Sequence, residues 1–294
     1  YGYFNRQPPD CFELRAVKRK AVKNQTSFRR TGVENIWSFA VGYIGFTYLF
    51  GKNGDLIMLN KELLYATIQK FGVEIDYNAF ERLDKYAEML VETNKSFNLT
   101  AITEPDDVTV KHFADCLALF GKVDIPENAK IIDVGTGAGF PGLVLLLTRP
   151  DIKMTFLDST KKKLGFIQNV LDETGVKAEV VHARAEEAGQ NPQYREKYDF
   201  ATARAVANLT NLSEYCLPFV KVGGEFISMK AAASDDEIKS AKNAIGILGG
   251  KIKNDTVFDL IEEMPRRIIE IKKISQTPTK YPRPSAKIAK NPIK

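Results

Sequence analysis

Cysteine and histidine are scarce: three cysteines (Cys11, Cys116, Cys216) and two histidines (His112, His182) in 294 residues. No two cysteines have CxxC spacing, and an odd, scattered set builds no disulfide framework. A His/Cys zinc site needs clustered ligands, which this chain does not have. A reducing compartment, and hence a cytoplasmic protein, is expected. The most apolar run, residues 36–50, is too short for the roughly 20 residues that span a bilayer. No basic start with a small-residue cleavage site marks a signal peptide. Repeats and low-complexity tracts are missing as well. What is there, 44% hydrophobic and 27% charged residues, is ordinary for a soluble globular chain with a sizeable core.

The net charge of +5 is unevenly laid out. Residues 1–57 carry 9 Lys/Arg and 4 Asp/Glu, residues 58–264 carry 24 and 32, and residues 265–294 carry 9 and 1. An acidic body thus bears a basic end, and a local basic cluster attracts phosphate backbones whatever the total charge.

The first 57 residues differ from the rest, holding 11 of the chain's 30 aromatics. The run 36–50 shows neither clean alternation nor a 3.6-residue period. Met58 is followed at once by a capped helix, and Gly54-Asp55 can be encoded by GGAGAT, a ribosome-binding sequence. Residues 1–57 are therefore expected to be a non-native or disordered extension, with a membrane-touching arm as the alternative.

From Met58 onward, Asn60 can cap a helix reaching about Phe71, with Leu64, Ile68 and Phe71 on one face. Asp76 can cap a second, with Phe80, Leu83, Ala87 and Leu90 at helical spacing. A third follows Pro105, tolerated in a first turn because its missing N–H had no partner anyway. These define a helical cap over 58–125. Strands are then expected at Ile131–Val134, Met154–Leu157, Ala178–Val181, Tyr198–Ala201 and Glu225–Met229, with two more near Lys251–Phe258 and Arg267–Ile274. Helices are expected at Leu143–Thr148 and Leu164–Leu171. Another would open at the capping box Ser234-Asp-Asp-Glu237 and close at Gly249-Gly250. From Gln276 the tail reads as irregular and Pro-rich. Alternating strands and helices over 126–294 predict an α/β domain with a mostly parallel seven-stranded sheet.

The sharpest motif is Ile131-Ile-Asp133-Val-Gly135-Thr-Gly137-Ala-Gly139-Phe-Pro-Gly142. It follows a strand and opens a helix, where open α/β sheets bind ligands. Its GxGxxG match is weak by itself and fits a dinucleotide loop too. Asp133, two residues before the first glycine, favours S-adenosylmethionine, since it can meet a cationic methionine end or order the loop. A pyrophosphate would gain nothing from it. Asp158, ending the next strand, can accept from ribose hydroxyls in either case.

Several separate strings now resemble one family. They are Asn98-Leu-Thr-Ala-Ile102, Lys111-His-Phe-Ala-Asp115, Asp133–Gly142 with Phe140-Pro141, Leu157-Asp-Ser159, Ala183-Arg-Ala-Glu-Glu187 and Ala203-Arg-Ala-Val206. Over 58–294 the chain resembles the bacterial 16S rRNA guanine-N7 methyltransferase family (glucose-inhibited division protein B). It departs from that pattern with Cys116 in place of the common Ser and Ala231 where Gly often follows the lysine. The resemblance implies a Rossmann-like class I S-adenosylmethionine-dependent methyltransferase with an N-terminal helical cap. It also implies methyl transfer to N7 of a guanosine in 16S rRNA, either naked or in a 30S particle or assembly intermediate. Gly135, Phe140, Asp158, Ser159 and Thr160 match cofactor contacts, Ala185 and Glu186 match the segment beside the adenine, and Arg204 matches a site arginine. Gly137, Gly139 and Asp133 join the cofactor set through the loop.

Guanine N7 carries an in-plane lone pair and no hydrogen, so its methylation needs no general base. Alignment and desolvation can then supply the catalysis, which suits a chain without a Ser-His-Asp or Cys-His constellation. Cys216 lacks the preceding proline of a cytosine-C5 nucleophile and reads as a core residue. Candidate catalytic residues are Asn98, His112, Asp115, Arg204 and Lys230; Lys111, Arg266, Lys280 and Arg283 are candidate RNA contacts. A monomer without membrane contact is expected. The residues alone leave open an NAD-dependent oxidoreductase, a non-catalytic rRNA-binding assembly factor and a small-molecule methyltransferase.

Overall fold

A computed structural model describes residues 39–43, 46–50, 56–231 and 235–293, with side chains from Met58 onward. The chain divides into two compact units, 1–58 and 59–294. In the first, strands β1 (Phe39–Tyr43), β2 (Phe46–Phe50) and β3 (Leu56–Ile57) form an antiparallel sheet in the order β1-β2-β3. Phe39 lies opposite Phe50, and Leu49 opposite Ile57. The aromatic run that lacks alternation thus pairs as strands. Aromatic and β-branched residues suit a pleated surface without a strict two-residue period. Residues 1–38 of the expected extension lie outside the described residues.

The second unit opens with the helical cap. In α1 (Lys61–Gln69) the Asn60 side chain accepts from the Leu63 N–H at 3.1 Å. In α2 (Tyr77–Asn94) Asp76 accepts from Ala79 N–H at 2.6 Å. Both caps satisfy donors that a helix start leaves open. Phe80, Leu83, Ala87 and Leu90 form the buried face of α2, as their spacing predicts, and Tyr86 joins them. The third helix is a composite: α3 (Pro105–Val108), a π-helical stretch (Thr109–Ala114) and α4 (Asp115–Leu117). Single π-turns occur often at functional sites, and this one carries Lys111 and His112.

The sheet has seven strands: β4 (Lys130–Val134), β5 (Lys153–Asp158), β6 (Glu179–His182), β7 (Tyr198–Arg204), β8 (Val220–Lys230), β9 (Gly250–Asp259) and β10 (Pro265–Lys273). Their order is β6-β5-β4-β7-β8-β10-β9, parallel except for β10, which runs antiparallel to both β8 and β9. The Rossmann-like, mostly parallel seven-stranded sheet is therefore present, with β4 and β7 at its centre. Helices α5 (Gly142–Thr148) and α6 (Lys161–Thr174) connect its first strands. α9 (Asp235–Ile247) ends near Gly249, while Ser234 of its capping box lies outside the described residues.

Three helices were not expected: α7 (Ala185–Ala188), α8 (Leu209–Cys216) and α10 (Ser285–Lys290). α8 buries Thr210, Ser213 and Glu214 along with Leu209 and Leu212, so polar residues interrupt the apolar stripe. α10 buries a single apolar residue, Ile288, which is too little to make a period. Among the described residues no helix is long and apolar enough to cross a membrane.

Candidate active site

The segments that leave β4, β5, β6 and β7 surround a cleft of about 720 Å³. Its floor is the turn after β4. Gly135, Gly137 and Gly139 have φ of +68°, +60° and +107°, a region that glycine alone enters without cost. The turn is tied to the neighbouring strand, as Gly135 N–H and Thr136 N–H donate to the Leu157 carbonyl at 2.8 and 3.1 Å. Asp133 holds it from below. That carboxylate is fully buried and accepts from Thr136 Oγ1 at 2.5 Å, Thr202 Oγ1 at 3.0 Å and Gly142 N–H at 3.2 Å. Burial pushes its carboxyl up to about 6, against the three donors that favour the charged form. Of its two expected roles, Asp133 takes the loop-ordering one and does not line the cleft. Gly139 does not line it either: a Cβ there would lie 2.4 Å from Leu143 Cδ1, so this glycine serves packing.

Gly135, Gly137, Phe140, Asp158, Ser159, Thr160, Ala185, Glu186, Arg204 and His112 all line the cleft. Asp158 accepts the Gly137 N–H at 3.0 Å through one oxygen and the Thr160 N–H at 2.8 Å through the other. It therefore braces the glycine turn besides facing the cleft. Tyr86, on the cap, donates through its hydroxyl to the Ala138 carbonyl at 2.8 Å and so holds the same turn from the other side.

The far wall is a polar array. Arg204, at the end of β7, donates to Asp115 Oδ2 at 3.0 Å, to the Lys111 carbonyl at 3.1 Å and to His112 Nδ1 at 3.1 Å. Because an arginine only donates, His112 Nδ1 must accept. Its Nε2 then carries the hydrogen and gives it to Thr100 Oγ1, 2.8 Å away. Burial, and next the adjacent guanidinium, pushes the His112 imidazole down to about 4, so the ring is neutral near pH 7. It stacks on Phe140 with centroids 4.5 Å apart and planes 18° off parallel, and the Arg204 guanidinium lies 4.9 Å from the same ring. Asp115 also accepts from Arg266 Nε at 2.8 Å, so one buried carboxylate holds two arginines.

Several expected site residues sit elsewhere. Asn98 is exposed and outside the lining, although its neighbours Leu99 and Thr100 belong to it. Lys230 donates to the Ala207 carbonyl at 2.9 Å and Glu237 Oε1 at 2.7 Å, bracing the loop after β7 instead of facing the cleft. Lys111 pairs with Asp107 one turn away at 2.9 Å. Arg266 is spent on Asp115, and Arg283 makes a two-pronged pair with Glu214 at 2.8 and 2.6 Å. Both arginines hold the fold together and are not free to meet RNA. Most of the basic end is spent in this way, with Arg267 on Asp255, Lys272 on Glu225 and Lys273 on Glu196. Lys280, Lys287 and Lys290 are exposed.

Other lining residues carried no signal in the sequence: Tyr215 and Asn211 of α8, and Ser285 and Ala289 of α10. Lys163 lines the cleft too, as does the exposed Arg184. Cys116 and Cys216 are buried. Burial pushes the Cys116 thiol up to about 12 and that of Cys216 up as well, which leaves neither as a nucleophile.

The family model for rRNA small subunit methyltransferase G matches residues 79–268. The chain is 46% identical over 239 residues to the ribosomal RNA small subunit methyltransferase G of Alkaliphilus metalliredigens, covering 81% of this chain and 100% of that one. To the protein of the same name in Acetivibrio thermocellus it is 46% identical over 235 residues, 79% of this chain and 96% of that one. For Leuconostoc mesenteroides the figures are 44% over 241 residues, 80% and 100%. The chain belongs to the rRNA small subunit methyltransferase G family and has its Rossmann-like class I methyltransferase fold.

Proposed function

We propose that the protein transfers a methyl group from S-adenosylmethionine to N7 of a guanosine in small-subunit rRNA. The observation that carries this reading, beside the family, is the state of the one histidine that lines the cleft. Both nitrogens of His112 are engaged, one accepting from Arg204 and the other beside Thr100, and the ring is neutral. Such a ring is not available as a base, and N7 does not need one.

The cleft also suits the cofactor. A Cβ on Gly137 would meet nothing but the Gly135 carbonyl at 3.9 Å, so the turn leaves open room there. Asp158 and Glu186 supply acceptors for hydroxyl and amino donors. The buried Oδ1 of Asn211, a lining residue, has no hydrogen-bond partner, and a buried acceptor of that kind calls for one. Gly135, Gly137, Asp158, Ser159, Thr160, Ala185 and Glu186 would hold the cofactor. When bound, S-adenosylmethionine supplies an electrophilic methyl group on a sulfonium. The chain's own part is to orient the base against the Phe140, His112 and Arg204 wall and to exclude water. Well-oriented reactants can gain about 7–11 kcal/mol in this way.

Mass spectrometry of small-subunit rRNA from cells with and without the protein tests the reading. Loss of one 7-methylguanosine without the protein is the expected result; an unchanged rRNA would reject it. Calorimetric titration of the purified protein should show binding of S-adenosylmethionine and none of NADH.

RNA affinity should follow the cations that remain exposed. Replacing Lys280, Lys287 and Lys290 together by alanine is expected to weaken rRNA binding and leave cofactor affinity unchanged. Each lost phosphate contact should flatten the log–log salt slope by about 0.7–0.9. An unaltered slope would place the RNA path elsewhere, with Lys163 and Arg184 at the cleft mouth the next residues to test. Arg283→Ala, by contrast, should lower stability by leaving the buried Glu214 unpaired.

A further inference from the structure

The tail from Gln276, irregular in sequence, is held too firmly to be a passing end. Arg195 donates to the carbonyls of Gly189 and Tyr281, both at 2.8 Å, and to that of Thr277 at 2.7 Å. Gln190 donates to those of Thr279 and Pro282 at 3.1 and 3.0 Å. The buried Lys273 donates to Thr277 Oγ1 at 2.5 Å. α10 is pinned at both ends by one residue: Arg283 grips Glu214 ahead of the helix and donates to the Asn291 carbonyl behind it at 2.9 Å. Ile288 and Ile293 anchor it from inside. A conformational cost is being met to keep this short helix in one place.

The result is that Ser285 and Ala289, four residues apart and so on one helical face, line the cleft beside Asn211 and Tyr215 of α8. Both are small. We infer that α10 is a built wall of the cofactor cleft, and that the small residue at 289 sets the room left for the bound nucleoside. This rests on the reading of the cleft as the S-adenosylmethionine site. The orphaned Asn211 Oδ1 belongs to the same wall, as expected where a ligand completes the polar contacts.

The test is titration of the full-length protein with S-adenosylmethionine by calorimetry. Ala289→Trp fills the cleft from the wall and should raise the Kd at least tenfold, with an unchanged melting temperature. Ala286→Trp, at a position exposed like Ala289 but outside the lining, should bind like the original chain. If Ala289→Trp fails to fold, Ala289→Leu is read in its place. Normal binding by a folded Ala289 variant overturns the wall, as does an equal loss in Ala286→Trp, since blocking would then not be local. If the unaltered protein binds no S-adenosylmethionine, the cofactor reading fails first, and the wall falls with it.

Discussion

Asp115→Ala is expected to lower stability by about 3–5 kcal/mol, the range for breaking one side of a buried ion pair, and to abolish methyl transfer. The carboxylate is 8% exposed, and its two arginines, Arg204 and Arg266, are 14% and 13% exposed. Removing it leaves two guanidinium groups facing each other across a space that water barely reaches. Arg204 would then lose the contact that aims it at His112 Nδ1 and at Phe140. Asp115→Asn, which keeps an acceptor but not the charge, should fall between. Urea unfolding and a methyl-transfer assay on both variants provide the check. An alanine variant that unfolds at the same urea concentration and still methylates would show that Arg204 is not held by this pair.

That array also marks where the sequence stops being readable. Arg204, His112 and Asp115 were drawn together by family resemblance, and nothing in their spacing pairs them. Asp115 and Arg266 are 151 positions apart. A charge count makes the last thirty residues a basic tail, because it cannot know that Asp115, Glu214, Glu225, Glu196 and Asp255 take up those cations one by one. Lys230 was misplaced for the same reason: at the end of a central strand it looks aimed at the site, but Glu237 draws it sideways.

The central strands were legible because they are buried along nearly their whole length and so read as short, largely apolar runs, as at Ile131–Val134, where only Asp133 is polar. β8 starts at Val220, five residues before its apolar run, since Lys221, Val222 and Gly223 are exposed and carry no pattern. The glycine turn was legible because positive φ forces the residue type. The α10 side of the cleft was not, because its small residues become a wall only through the clamps of Arg195 and Arg283.

Gly137→Val is expected to raise the Kd for S-adenosylmethionine by more than a hundredfold while the protein stays folded. Two effects act together. At φ +60° an L-residue costs about 1–2 kcal/mol, and a β-branched one is a steric outlier there. Relaxing that strain would pull the Gly137 N–H off Asp158 and free a carboxylate that otherwise braces the turn. The new side chain also has no wall near it, the nearest atom to its Cβ being the Gly135 carbonyl oxygen at 3.9 Å, so the valine methyls would stand in the open cleft. The neighbouring glycine would not make so clean a test, since a Cβ on Gly139 would run into Leu143 at 2.4 Å and disturb the core. Asp158→Ala should weaken binding less, by about 1–3 kcal/mol, the cost of losing hydrogen bonds to a charged acceptor. Calorimetric titration alongside a thermal melt separates loss of the ligand from loss of the fold. If folded Gly137→Val binds S-adenosylmethionine like the original protein, the cofactor does not lie over this turn, and the assignment of the cleft must be abandoned.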